Sequence, residues 1–173
     1  MKREWSKWEN EEGVTLVELL VVLAISSLLI GIVTMILLSS LMAFDRLTSD
    51  TELRNETNFI TTVLNQTLKN VDKVEILDQP ADPNRIYHFQ ATEVVKKVDQ
   101  TEEERSQEIH ITGDDATGYN LFIGGKRINK EGYSLKGSYF WIGDGELKGM
   151  IQVEKIGSLA KPLYVYLSHP ISG

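Results

Sequence analysis

The apolar residues of this chain are distributed very unevenly. Residues 19–44, from Leu19 to Phe44, carry no charged side chain at all, and Leu, Val, Ile, Ala and Met dominate the run. As a helix it would be about 39 Å long, against a hydrocarbon core of about 30 Å. A soluble protein could bury such a helix only in a core larger than the remaining residues can build. The run is therefore expected to cross a membrane. Ser26, Ser27, Thr34, Ser39 and Ser40 do not prevent this, because short hydroxyls bond back to helix carbonyls, and Gly31 is tolerated in such a segment.

Beyond Phe44 the pattern becomes amphipathic without a break. Asp45, Arg46, Asp50, Glu52, Arg54 and Glu56 alternate with Leu47, Leu53, Phe59, Ile60, Val63, Leu64, Leu68, Val71 and Val74. Positions 60, 64, 68 and 71 form one helical stripe, and 60, 63, 67, 71 and 74 another, with Thr67 as the polar member. No proline or glycine interrupts residues 32–74, so one helix of up to about sixty residues is predicted, too short of sustained heptads to require a coiled coil. Asp78-Gln79-Pro80-Ala81-Asp82-Pro83-Asn84 is expected to stop it.

The remainder reads as short strands: 85–90, 93–98, 108–111, 119–123, 127–128, 138–142, 147–156 and 163–167. Gly124-Gly125 and Asp144-Gly145, each between apolar runs, predict tight hairpins. An antiparallel sheet packed on the helix stripe follows, giving an α+β fold. The acidic stretch Asp99–Gln107 reads as a solvated loop.

Composition narrows the chemistry. There are 18 Lys and Arg against 25 Asp and Glu, a net charge of −7, which opposes broad attraction to nucleic acid or anionic lipid. The absence of cysteine excludes disulfides, thiolate metal sites and cysteine nucleophiles. No nucleophile elbow, phosphate-cradling loop or His-Glu-x-x-His appears, so no enzyme active site and no cofactor are expected. His88, His110 and His169 lack the paired spacing of a zinc site and are read as strand histidines, with no metal centre expected. Asp114 and Asp115 offer a weak calcium alternative, but the EF-hand spacing is missing and turns account for such residues. Lys126, Arg127 and Lys130, near Tyr119, Phe122 and Tyr133, outline a small basic surface with rings for a nucleic acid, set against a plain solvated hairpin tip.

The start of the chain is more specific. A polar stretch ending in Gly13 precedes Val14-Thr15-Leu16-Val17-Glu18-Leu19-Leu20-Val21-Val22-Leu23-Ala24-Ile25. The small residue comes before the apolar segment, the reverse of a secretory signal peptide. An ionised carboxylate near the centre of a membrane helix costs about 2.5–3.5 kcal/mol, and less near its end, so an acid here calls for compensation. This segment resembles the prepilin signal of type IV pilins and of the pseudopilins of type II secretion and competence systems.

The resemblance implies that residues 1–13 are a cytoplasmic leader removed by a prepilin peptidase between Gly13 and Val14. Val14 is then N-methylated, and Glu18 faces the terminal amine of a neighbouring subunit. It implies a pilin-like division into a transmembrane helix over 14–44, an amphipathic continuation over 45–77 and a β-rich head over 78–173. The implied partners are other pilin or pseudopilin subunits, the peptidase, an inner-membrane assembly platform and the bilayer, with DNA an open alternative that the net charge does not indicate. The head would lie outside the cytoplasmic membrane, and the subunit would enter a pilus-like or pseudopilus fibre for DNA uptake, secretion or adhesion. Thr51–Glu56 followed by Phe59-Ile60 also resembles the J and W classes of minor pseudopilin. Two departures stand out: Val14 occupies a position where the family usually has Phe, and four acids accompany Lys2, Arg3 and Lys7 in the leader. Because topology follows basic residues more than net charge, the inside leader still holds. Trp5 and Trp8 suit the lipid headgroup level, or belong to a discarded leader. The rival reading is a single-pass anchor that presents its β domain as a receptor or sensor and never polymerises.

Overall fold

The computed structural model describes residues 14–78, 82, 84–97 and 101–171. Gly13, Trp5, Trp8 and the rest of the leader lie outside the described residues, as do Pro80 and Pro83 of the expected helix stop. One helix, α1 (Leu16–Leu68), is followed by nine strands. The chain divides into two units, the first ending at Asp45 and the second covering Arg46–Gly173.

In the first unit α1 is apolar on every side, and every residue from Val14 to Asp45 is exposed. A helix hydrophobic all round needs an apolar environment, either a protein core or lipid. Among the described residues α1 is the one helix long and apolar enough to cross a membrane. Its polar interruptions are satisfied locally: the hydroxyls of Ser27, Thr34 and Ser40 donate to the carbonyls of Ala24, Ile30 and Ile36 at 2.8–2.9 Å.

In the second unit the amphipathic half of α1 buries Leu53, Glu56, Thr57, Ile60, Leu64 and Leu68, the i, i+3/i+4 stripe expected for a helix lying on a sheet. A five-stranded antiparallel sheet runs in the order β1 (Lys73–Ile76), β2 (His88–Lys96), β3 (Glu102–Asp114), β4 (Gly118–Ile123) and β5 (Lys126–Arg127). In the other sheet β8 (Glu146–Lys155) pairs antiparallel with β6 (Tyr133–Ser134), β7 (Tyr139–Gly143) and β9 (Leu163–Pro170). An isolated bridge between Ile86 and Phe140 ties the two sheets together. Ile60, Leu64, Phe89, Ile109, Leu121, Leu135, Phe140, Ile151 and Val153 are completely buried and form the centre of one core. Phe89 and Phe140 meet edge to face, 5.0 Å between ring centroids.

The architecture is thus the expected one, a long N-terminal helix whose second half packs on antiparallel sheet, pilin-like in outline, with two sheets where one was expected. Both predicted hairpins form. At Asp144-Gly145 both residues have positive φ, 58° and 74°, the backbone that a two-residue turn between twisted strands requires.

Three local expectations fail. The helix stops at Leu68 rather than continuing to Val74, because residues 73–76 pair with Phe89–Thr92 as β1, and Asp72 Oδ2 accepts the Val94 N–H at 2.8 Å. Alternating Val74 and Ile76 suit a strand as well as a helix. The segments around 85–90 and 93–98 are one strand, His88–Lys96. Of the acidic stretch expected as a loop, residues 102–107 are the start of β3, while Asp99 and Gln100 lie outside the described residues. Lys97 pairs with Glu103 at 3.0 Å and Lys73 with Glu104 at 3.2 Å, and Glu93 lies opposite Arg105. Each exposed pair contributes little; the complementary series favours one register.

Candidate functional site

The N-terminal site is built around the first turn of α1. Thr15 precedes the first helical residue, and Glu18 lies three positions beyond it. The Thr15 N–H donates to Glu18 Oε2 at 2.9 Å, the Thr15 hydroxyl donates to the same oxygen at 3.0 Å, and the Glu18 N–H donates back to Thr15 Oγ1 at 3.2 Å. This reciprocal pattern is a capping box, which satisfies donors that a helix start otherwise leaves without partners. Its signature, Thr-x-x-Glu before an apolar run, stands in the sequence at 15–18 and is missed when Glu18 is considered only as a charge in lipid. The carboxylate also sits at the positive end of the helix dipole. It remains exposed, as does Val14 beside it, so both are open to a neighbour.

The other candidate residues lie in the head and do not join this site. Asp114 Oδ1 accepts the N–H groups of Thr117 and Ala116 at 2.7 and 2.8 Å, and these bonds hold its carboxyl below the ordinary value. Asp115 pairs with Lys136 at 2.9 Å. Asp114 thus caps a turn and Asp115 forms an exposed ion pair. Lys126 and Arg127 are exposed on β5. Lys130 is exposed beside them: the Arg127 guanidinium donates to the Lys130 carbonyl at 3.1 Å, while the Lys130 backbone N–H donates to Glu56 Oε1 at 2.8 Å and its ammonium lies 3.8 Å from Glu56 Oε2. Tyr133 is buried and so cannot serve as a stacking ring beside the basic residues, whereas Phe122 is half-buried and stacks on His110.

The three histidines lie on strands, as expected, and two of them come together. His88 and His110 are direct partners across β2 and β3. His88 Nε2 lies 2.7 Å from Glu108 Oε1, and the two imidazole centroids are 5.3 Å apart. With Glu108 they form a cluster, and the cross-strand register that joins them has no signature in linear spacing. His169 stands apart from them, its Nε2 donating to Asn65 Oδ1 on α1 at 3.0 Å. An open, largely polar hollow is lined by Lys69, Asn70, Val71, Asp72, Glu93, Val94 and Pro170, residues that form no catalytic constellation.

Residues 9–34 match the family model of the prokaryotic N-terminal methylation motif. The match covers the junction of Gly13 and Val14, Glu18 and the first half of the apolar run. No curated protein and no solved structure matches the chain. The chain carries a prepilin-type signal of the type IV pilin and pseudopilin kind. Proteins bearing this motif are generally structural, and it points to other pilin subunits and a prepilin peptidase as general partners. The signal and the apolar helix together are consistent with membrane anchoring.

Proposed function

We propose that this protein is a minor pilin or pseudopilin subunit, inserted with residues 1–13 in the cytoplasm, cut between Gly13 and Val14, methylated at Val14 and drawn into a fibre. The observation that carries this reading is a carboxylate on the first turn of a helix that is apolar on all sides, inside a matched methylation motif. Packing of such helices against one another supplies non-specific cohesion. Glu18 supplies register, because its charge meets the terminal amine of a neighbour only when the two subunits are in step, and a misplaced subunit leaves both charges unpaired in low dielectric. The fibre would serve DNA uptake, secretion or adhesion, and the likeness of Thr51–Glu56 to the J and W classes supports a minor position in it.

The capping box favours a second reading. Because Thr15 satisfies Glu18 within one chain, a solitary membrane anchor can also hold an acid at this place, with the head acting as a receptor or sensor. Mass spectrometry of the protein purified from its host membranes separates the two. The assembly reading expects an N-terminal peptide beginning at methylated Val14. An intact N-terminus starting at Met1 in the mature, membrane-resident protein would overturn it in favour of the anchor.

A further inference from the structure

His88, Glu108 and His110 lie on one face of the five-stranded sheet. Phe89, Ala91, Ile109 and Ile111, their alternating neighbours, point into the core, so the period of two along each strand places the three side chains on the opposite, outer face. Glu108 and His110 are two apart on β3, and His88 lies opposite His110 on β2. Three donor groups thereby converge: one ligand atom from each lies within 4.8 Å of the others. The side chains are partly covered, 35% exposed at His88, 49% at Glu108 and 24% at His110.

We propose that these three residues form a zinc site. Two imidazole nitrogens and one carboxylate oxygen are a donor set that zinc accepts, with a fourth position left for water or another ligand. Bonds of about 2.1 Å in tetrahedral geometry place ligand atoms about 3.4 Å apart. His110 Nδ1 is already 3.4 Å from Glu108 Oε1, and His88 Nε2 is 2.7 Å from the same oxygen. Small side-chain rotations that open the second gap and close the one between the imidazoles make room for the ion.

Two further features favour a cation over a simple ion pair. His110 Nδ1 is shut off from solvent and makes no hydrogen bond, although a carboxylate oxygen lies beside it; buried polar atoms are almost always paired, and this one has the position of a ligand. The ring is also held in place, stacked on Phe122 with centroids 4.9 Å apart and planes 13° from parallel. A ligand whose orientation is fixed by its support loses less freedom on coordination. On binding, neutral imidazoles and an ionised Glu108 coordinate the ion, and His88 Nε2 gives up the hydrogen it directs at Glu108, with Nδ1 carrying the proton of the neutral ring.

The test uses the full chain in detergent, stripped of metal and titrated with zinc chloride by calorimetry, with cobalt chloride as an absorbance probe. A single equivalent is expected to bind, with cobalt giving the visible bands of a four-coordinate site. His88→Gln, Glu108→Gln and His110→Gln should each weaken zinc by about tenfold or more, whereas His169→Gln should bind as the unaltered chain does. A measurement on the unaltered protein covers the case of a variant that does not fold. The chain has three histidines, and zinc should shift the imidazole NMR signals of His88 and His110 while leaving His169 in place. No stoichiometric binding, binding that persists in the His88→Gln/His110→Gln double variant, or a shift confined to His169 would each overturn the site.

Discussion

Glu56 offers a quantitative test of how α1 is fastened to the head. It is a carboxylate on the buried stripe, 2% exposed, accepting the Lys130 backbone N–H at 2.8 Å, while the Lys130 ammonium, on a side chain 76% exposed, lies 3.8 Å away. The backbone bond and the ion pair should contribute unequally. A hydrogen bond to a charged group is worth about 1.5–3 kcal/mol, and an orphaned N–H forfeits that and its hydration. A solvent-exposed ammonium at such a distance contributes about 0–1 kcal/mol. Glu56→Ala should therefore cost about 2–3 kcal/mol, Glu56→Gln, which keeps an acceptor, about 1 kcal/mol, and Lys130→Ala about 0.5 kcal/mol. For a unit of this size about 4 °C in melting temperature accompanies each kcal/mol, so the alanine variant at position 56 should melt about 8–12 °C lower. A chain beginning at Val14 has Trp141 as its single tryptophan, so its fluorescence reports directly on the head during thermal unfolding in detergent. If Lys130→Ala were as harmful as Glu56→Ala, the ammonium and not the backbone bond would be the fastening, and the reasoning would be wrong.

Two further outcomes are expected. Glu18→Gln preserves the Thr-x-x-Gln capping pattern and removes the charge, whereas Glu18→Ala removes both; if charge pairing drives assembly, both variants should be processed and both should stay out of fibres, and normal incorporation of Glu18→Gln would reduce Glu18 to a cap. His169 is held below its ordinary pKa by burial. Its neutral form is therefore favoured in the fold, the stabilisation is present above the ordinary histidine value of about 6.5 and is lost as pH falls below it through the lowered value. Melting temperatures of the unaltered chain should drop across that window more steeply than those of His169→Gln, and parallel curves would contradict the assignment.

What the sequence makes visible are the features set by local pattern. An uncharged run longer than a bilayer is thick, a stripe at 60, 64 and 68, and Asp-Gly between apolar segments each have a short-range physical cause, and each appears where expected. The Thr15 and Glu18 box is equally local and was open to reading, but attention to the acid's membrane cost hides its partner three residues earlier. The end of α1 escapes because Val71–Ile76 can satisfy either period, and pairing with β2 decides between them. The charged strand Glu102–Gln107 looks like a loop until its partners on β2 and β1 are known. His88 and Glu108 are 20 residues apart, and only the register of two antiparallel strands brings them within bonding distance. Glu56 resembles Glu52 in the sequence, yet one is buried and bonded to a backbone amide while the other forms an exposed pair with Lys155 at 2.7 Å.

The self-contained first turn of α1 bears on how any fibre built through Glu18 would grow. A subunit waiting alone already has one oxygen of its acid, Oε2, held by its own threonine, which fixes the direction of the carboxylate without cancelling its charge. The other oxygen can meet an incoming cation without breaking the cap. The first turn would then act as a pre-aimed socket, so that a neighbour arriving out of step finds the acid rigidly turned away from it.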